Sequence, residues 1–265
     1  MKKTIRNILI ILIAIYFIFC GFFFFTQEKF IFHPQKLDKD YKFHFYQQFE
    51  EINIVAQDGA SLNGLLFTVD QPKGLIFFLH GNAGALDSWG QLASVYTDLG
   101  YDIFFLDYRG FGKSSGKIEN QNQLLDDIRL AYKEMNKRYA ENRIIVLGFS
   151  IGTGIAANIA SENSPRILIL QAPYYSLTNV IQGFCPIIPS FLIKYKLETF
   201  IYLVECKMPV TIFHGDNDKV IDYSNSILLK DYLKENDALI TLQGEGHNGI
   251  NYNDEYRSKI AEILN

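Results

Sequence analysis

The chain has 265 residues, 48% of them hydrophobic and 20% charged, with a formal net charge of −4, the composition of a globular protein with one large core or two modest ones. No basic cluster follows Lys2, Lys3 and Arg6, so the electrostatic footprint of a nucleic-acid binder is missing and no nucleic-acid partner is expected. Three cysteines are too few for a disulfide scaffold, and no C-x-x-C or H-E-x-x-H spacing suggests a metal site.

The first element is an uncharged run, Ile8 to Phe25, reading ILIILIAIYFIFCGFFFF. As a helix it spans roughly 27 Å, close to the hydrocarbon thickness of a bilayer. No small-residue cleavage site follows, and Phe17, Ile18 and Phe19 are too bulky for a lipoprotein signal ahead of Cys20, so an uncleaved anchor is expected over residues 1–27. Lys2, Lys3 and Arg6 precede the run and only Lys29 lies close behind it, which orients the N-terminus to the cytoplasm and residues 28–265 to the other side. An aromatic stretch follows, with Phe30, Phe32, Tyr41, Phe43, Phe45 and Tyr46, suited to a membrane interface or to the underside of a domain.

Short β-like runs come next, at Ile52–Val55, Leu62–Val69, Leu75–Leu79, Ile103–Leu106, Ile144–Leu147, Ile167–Leu170, Val210–Phe213 and Leu239–Leu242. From the third onward they are nearly continuous apolar segments, the mark of strands covered on both faces. Helical patterns stand between them at Ser88–Leu99, Gln121–Arg138, Gly152–Ser161, Ser224–Leu233 and Asp254–Leu264. This alternation predicts an α/β domain with a mostly parallel central sheet and helices on both faces. One interval breaks it: residues 174–207 contain no clear strand, and Pro186 and Pro189 interrupt their apolar helical patterns. A long connection at a strand's C-terminal end reads as a small cap. Cys185 lies in it and Cys206 near its end; their pairing is left open beside the simpler reading of two reduced thiols.

The run Ile144–Leu147 leads into Gly148-Phe149-Ser150-Ile151-Gly152. That order suits a nucleophile elbow, a sharp strand-to-helix turn that exposes a serine hydroxyl and leaves the next N–H free, although a plain turn or helix cap fits the same five residues. A serine nucleophile needs a base, an acid to orient that base, and N–H donors for an oxyanion. Of the five histidines only His247 stands in a loop after the last strand, opposite the elbow, and it is the candidate base. Asp216, Asp218 and Asp222 follow the strand Val210–Phe213. Asp222 suits a helix cap and Asp216 a turn, leaving Asp218 as the candidate acid beside its plain alternative, a solvated loop carboxylate.

These motifs carry a resemblance. His80-Gly81-Asn82-Ala83-Gly84, Asp107 to Gly116, Gly148 to Gly154, His214 to Asp218 and Gly246-His247-Asn248 together resemble the α/β-hydrolase superfamily, in its Bem46-like membrane-anchored branch. The resemblance runs roughly from Phe30 to Leu264 and implies an α/β-hydrolase fold. It implies a serine hydrolase with a Ser150, Asp218, His247 triad, in that chain order, and an oxyanion hole from the N–H groups of Ile151 and Asn82. Neither a cofactor nor a metal is implied. Depalmitoylating thioesterases and sequences labelled as peptidases share the resemblance, so ester, thioester and amide remain open as substrates. Apolar residues of the cap, among them Ile181, Phe184, Ile187, Ile188 and Phe191, suit either an acyl groove for a lipophilic substrate or plain cover for the end of the sheet, with another small molecule as substrate. The chain departs from the pattern at Gly249, where an acidic residue is expected after Asn248.

Two other motifs offer rival readings. Gly112-Lys113-Ser114 imitates a phosphate loop but has Asp107 where that pattern needs glycine; Asp107 and Arg109 are expected instead to pair or hydrogen-bond within their loop. Gly152-x-Gly154-x-x-Ala157 satisfies a permissive dinucleotide fingerprint, which predicts an oxidoreductase, yet the ribose-binding acid is missing from Gln171-Ala172-Pro173. A catalytically inert, membrane-tethered binding module is the remaining alternative, disfavoured because all three triad members are present.

Overall fold

The computed structural model describes residues 2–265. All eight expected strands form one sheet: β1 (Phe49–Val55), β2 (Ser61–Phe67), β3 (Leu75–Leu79), β4 (Asp102–Leu106), β5 (Ile144–Phe149), β6 (Ile167–Gln171), β7 (Val210–Gly215) and β8 (Ala238–Leu242). Their spatial order is β1-β2-β4-β3-β5-β6-β7-β8. β2 is antiparallel to both β1 and β4, and every other pairing is parallel. Leu79 pairs with Gly148, Phe149 with Gln171, and Gln171 with Phe213. The C-terminal ends of β3, β5, β6 and β7 therefore lie level, and the loops after them gather along one edge.

Successive residues of a strand point to opposite faces, and both faces are covered. Phe77, Val146, Leu168 and Ile212 belong to one buried cluster, which takes in α4 (Gln121–Asn136) and α5 (Ile151–Glu162). Ile76, Ile145, Ile169 and Phe213 belong to the other, with α2 (Leu86–Trp89), α3 (Ala93–Thr97) and α9 (Asp254–Leu264). This is why the central strands read as unbroken apolar runs rather than alternating ones. Asn120 caps α4 by accepting from Gln123 N at 2.9 Å, and Asn253 caps α9 by accepting from Tyr256 N at 3.0 Å.

The helix expected over Ser88–Leu99 is broken into α2, a 3-10 turn at Gly90–Leu92, and α3. Gly90 lies under the Phe45 ring, where a Cβ would collide, and Leu86 N–H is drawn to Asp107 Oδ2 at 3.3 Å. Tertiary contacts from both sides thus override a helix that local pattern alone would extend. Of the aromatic stretch, Phe32 and Phe43 are buried while Phe30 and Tyr46 are exposed.

The apolar run lies in α1, a helix of 30 residues from Lys2 to Ile31, long and apolar enough to cross a membrane. It extends beyond the expected end of the anchor. Its buried residues, Cys20, Phe23, Gln27 and Ile31, form a stripe at helical spacing that packs on the domain, while Ile8 to Ile13 are exposed. The interval 174–207 holds α6 (Leu177–Phe184), a 3-10 turn at Ser190–Leu192, and α7 (Thr199–Glu205). Cys185 and Cys206 are free, and burial pushes the Cys206 thiol up to about 12.

Asp107 and Arg109 do not pair. The Arg109 guanidinium instead meets Asp127 at 2.5 and 2.9 Å and Asp58 at 2.6 and 3.0 Å, while Asp107 turns toward His80. The bidentate fork of Arg109 is satisfied best by two carboxylates lying outside its own loop. Asp127 is buried and Asp58 is 55% exposed, so the two substitutions should differ. Asp127→Ala strips the buried Arg109 of its buried partner and leaves it only the exposed Asp58, and is expected to cost about 3 kcal/mol, whereas Asp58→Ala should cost much less because solvent screens that pair. Denaturant titration of the detergent-solubilised protein measures both, and equal losses would contradict the assignment.

Candidate active site

Ser150 occupies the turn between β5 and α5 with φ 53° and ψ −121°. A non-glycine residue in this region is strained and must be held by its surroundings. The restraints are visible: Ser150 N donates to Gln171 O at 2.9 Å, and Ser150 O accepts from Thr153 N at 2.9 Å and Thr153 Oγ1 at 2.6 Å. The flanking glycines make the turn sterically feasible. A Cβ on Gly148 would strike the Gly152 carbonyl, and one on Gly152 would strike the carbonyls of Leu79 and His80. Gly154 in turn lies under the Tyr174 hydroxyl. The glycines of the dinucleotide-like pattern are thus taken up by packing rather than left open to a pyrophosphate.

The structure brings the three candidate residues together. His247 Nε2 is 3.0 Å from Ser150 Oγ, and His247 Nδ1 is 2.6 Å from Asp218 Oδ2. With Nδ1–H donating to the carboxylate, Nε2 is left as the acceptor for the serine proton. Asp218 Oδ1 accepts from Val220 N at 2.8 Å and Ile221 N at 2.9 Å. Burial by itself would raise the Asp218 pKa, but hydrogen bonds from His214 and His247 and the charge of His247 outweigh it and hold the carboxyl well below the usual carboxylate range. Asp216, by contrast, is exposed and accepts from Gly244 N at 2.6 Å, bracing the last loop. Asp222 accepts from Ser224 N at 2.9 Å at the start of α8 (Ser224–Lys230).

Ile151 is the first residue of α5, which no side chain caps, so its N–H has no intrahelical acceptor. Asn82 lies in the loop after β3. Its N–H meets no protein acceptor among the described residues. The loop is held from an unexpected direction: Asn82 Nδ2 donates to Ile31 O at 3.0 Å, and His33 N donates to Asn82 O at 2.7 Å. His33–Pro34 then forms a two-residue parallel ladder with Ala83–Gly84. The end of α1 and the segment after it therefore clamp the loop that carries Asn82.

Comparison with known proteins gives the same architecture. A family model described as serine aminopeptidase, S33, matches residues 70–201. Alpha/beta hydrolase domain-containing protein 17B of Homo sapiens is 30% identical over 201 residues, 72% of this chain and 66% of that protein. The 17C protein of Xenopus laevis is 31% identical over 216 residues, 77% of this chain and 66% of that protein. This chain thus spans 66% of the length of both relatives. The Pyrococcus furiosus esterase Pf2001 superposes with a TM-score of 0.70 at 18% identity, covering 88% of this chain and 97% of the other. The chain belongs to the α/β-hydrolase superfamily.

The site includes residues to which the motifs gave no role. His214, at the end of β7, is fully buried; its Nε2 lies 3.2 Å from Asp218 Oδ2 and 2.9 Å from Ile221 O, and its Nδ1 lies 2.7 Å from Ser226 Oγ. Two oxygens that only accept put the proton on Nε2, so Nδ1 accepts from Ser226. His214 is a second donor to Asp218, a role that its place at the head of the His214-to-Asp218 motif did not disclose. Phe149 packs on His247 at a ring separation of 5.1 Å and on Trp89 at 5.6 Å, walling one side. His80 lies fully buried after β3, its Nδ1 donating to Gly81 O at 2.7 Å, and supports the loop rather than the chemistry.

The missing acid at Gly249 has a spatial counterpart. The Glu245 carboxylate occupies the space beside Gly249 that a Cβ there would need. It accepts from Gly246 N and Asn253 Nδ2, each at 2.9 Å. The loop is also braced by Asn251, tied to Gln171 at 3.0 Å and to Tyr96 at 3.0 Å.

Two substitutions test the geometry. Asp218→Asn should lower kcat by up to about four orders of magnitude because an amide favours the wrong imidazole tautomer, whereas Asp216→Asn should alter it little; the reverse ranking in ester hydrolysis assays would assign the acid to Asp216. Asn82→Ala keeps the backbone N–H but releases the loop from Ile31 O. A fall in kcat of about tenfold with KM nearly unchanged is expected, smaller than the loss of an oxyanion donor, and unaltered kcat would deny the clamp a role.

Proposed function

We propose that the protein is a membrane-anchored serine hydrolase that cleaves an ester or thioester of a lipophilic acyl group through an acyl-enzyme on Ser150. The observation that carries this reading is the continuous chain from Ser150 Oγ through His247 to Asp218, at 3.0 and 2.6 Å, built on the strained elbow. His247 Nε2 takes the proton as Ser150 Oγ attacks the acyl carbon, and Asp218 stabilises the resulting imidazolium. The N–H groups of Ile151 and Asn82 receive the oxyanion. Collapse expels the alcohol or thiol with the proton from His247; a water then gives a proton to His247 as its oxygen attacks the acyl carbon, and the second collapse breaks the bond to Ser150 Oγ, which takes that proton back as the carboxylic acid leaves.

The esterase among the structural neighbours supports ester chemistry by fold, and the apolar helix α1 supports a membrane setting. The charge bias of Lys2, Lys3 and Arg6 against Lys29 favours a cytoplasmic N-terminus with the hydrolase on the other side. A second reading, amide hydrolysis by the same triad, rests on the serine aminopeptidase description of the matching family model. Tertiary packing at Gly152 and Gly154 disfavours a dinucleotide-binding oxidoreductase.

Ser150→Ala is expected to abolish fluorophosphonate labelling and ester hydrolysis in a folded protein. On wild type, kcat/KM for p-nitrophenyl esters should climb from acetate toward decanoate, by up to about 0.8 kcal/mol of transition-state binding per buried methylene. Undiminished hydrolysis by Ser150→Ala would overturn the mechanism. A profile peaking at acetate would overturn the lipophilic substrate, and faster turnover of amino-acyl anilides would favour the second reading.

A further inference from the structure

Two apolar segments lie side by side in this protein and stop at the same level. One is α1, whose uncharged run ends at Gln27, just before Glu28. The other is the cap: no charged side chain occurs from Leu177 to Ile193, and Lys194 closes the run. Lys194 Nζ meets Glu28 Oε1 at 2.9 Å, so the two runs end at one ion pair. Beyond that pair the cap lies along α1, with Phe23 packed against Ile188 and Ile193. Contact continues as far as Tyr16, whose hydroxyl donates to Ile187 O at 2.9 Å. From Glu28 to Tyr16 the helix advances about 18 Å, close to the depth of one hydrocarbon leaflet.

The tip of the cap is apolar where it is free. Phe184, Ile187 and Phe191 are 77%, 60% and 80% exposed, an arrangement that water disfavours. Its non-helical backbone is provided with donors in an unusual way. Ile187 O is taken by Tyr16 Oη, Ile188 O by Gln182 Nε2 at 2.9 Å, and Leu192 O by Gln27 Nε2 at 3.0 Å. Cys185 O, Pro189 O and Ser190 O accept from Ile188 N, Leu192 N and Ile193 N at 3.2, 3.0 and 3.2 Å. An exposed loop in water needs no such side-chain donors, since solvent supplies them. Irregular backbone at membrane depth does need them, because hydrocarbon offers none.

We infer that the cap tip, Phe184 to Ile193, is immersed in the same bilayer leaflet as the adjoining half of α1, with lipid acyl chains as the partner of its exposed aromatic residues. The inference rests on α1 being a membrane helix. It gives that reading a second attachment, which seats the domain on the bilayer with the Glu28–Lys194 pair at the headgroup level and its cap toward the acyl chains of the proposed substrates.

The test uses the full-length protein in phosphatidylcholine vesicles whose acyl chains carry bromine near mid-leaflet. The chain has a single tryptophan, Trp89, whose emission is subtracted as the parent signal. Phe184→Trp and Phe191→Trp place reporters on the cap tip, Phe17→Trp on an exposed position of α1 and Tyr46→Trp on the domain surface. Bromines roughly 10 Å deep should remove about half the added emission at positions 17, 184 and 191 and little at position 46, which acrylamide should quench instead. Quenching by bromine at position 17 but by acrylamide at 184 and 191 would overturn the immersed cap and leave the membrane helix standing. Added emission at 184 and 191 that neither agent quenches would mean that another protein surface covers the tip, and would equally overturn the inference. Absence of bromine quenching at position 17 as well would overturn the membrane reading and the inference together.

Discussion

Helix α5 begins so close to β3 that the Leu79 and His80 carbonyls leave no room for a side chain at Gly152. Most of the site descends from that contact. To enter a helix so near the sheet the chain must turn sharply, and Ser150 takes the positive φ that makes the turn. A serine in that conformation stands clear of both strand and helix, so its hydroxyl meets His247 without competing for a capping role. The same closeness leaves the first N–H of α5 without a side-chain partner, whereas α4, α6 and α9 are each capped by Asn or Ser. A strained backbone is tolerated here because Gln171 and Thr153 hold it on both sides.

Electrostatics divide the remaining labour among buried groups. A carboxylate as deeply buried as Asp218 is costly unless donors surround it. Two imidazoles and two backbone N–H groups do so. His214 faces away from Ser150, yet its hydrogen bond helps to hold the Asp218 carboxyl well below the usual carboxylate range. Asp107 shows the contrasting case: burial raises its pKa, since hydrogen bonding and the charge of His80 do not outweigh desolvation. The aspartates that follow β4 and β7 thus have opposite acid strengths, and the more acidic one lies against His247.

What could be read from the residues followed from how local each signal is. The strands were legible because burial on both faces leaves unbroken apolar runs, and Ser150 because its glycines sit beside it in the chain. His247 and Asp218 were legible from their loops, which the parallel order carries to one edge. The break in the helix at Gly90 was not, since it depends on a Phe45 ring lying 45 positions away in sequence. Nor was the pairing of Arg109 with Asp58 and Asp127, both outside its loop. The two cap helices were hard to read because each is short, eight and seven residues, although Ser176 gives α6 an ordinary side-chain cap. The burial of the end of α1 did leave a trace: Gln27 continues the stripe of Cys20 and Phe23, and a lone amide at the close of an apolar run has no reason to be there unless it finds a partner.

That amide decides how the protein can be cut. Many membrane-tethered enzymes carry an open linker that a protease can sever, releasing a working domain. Here Gln27 is fully buried and Ile31 and Phe32 nearly so, while the exposed residues that follow, His33 to Lys36, are paired to the loops of Asn82 and Gly112. A cleavage within residues 33–36 would leave the carbonyl of Ile31, which holds Asn82, on the helix fragment. A domain severed from α1 would therefore keep that brace only while the helix stays docked on it.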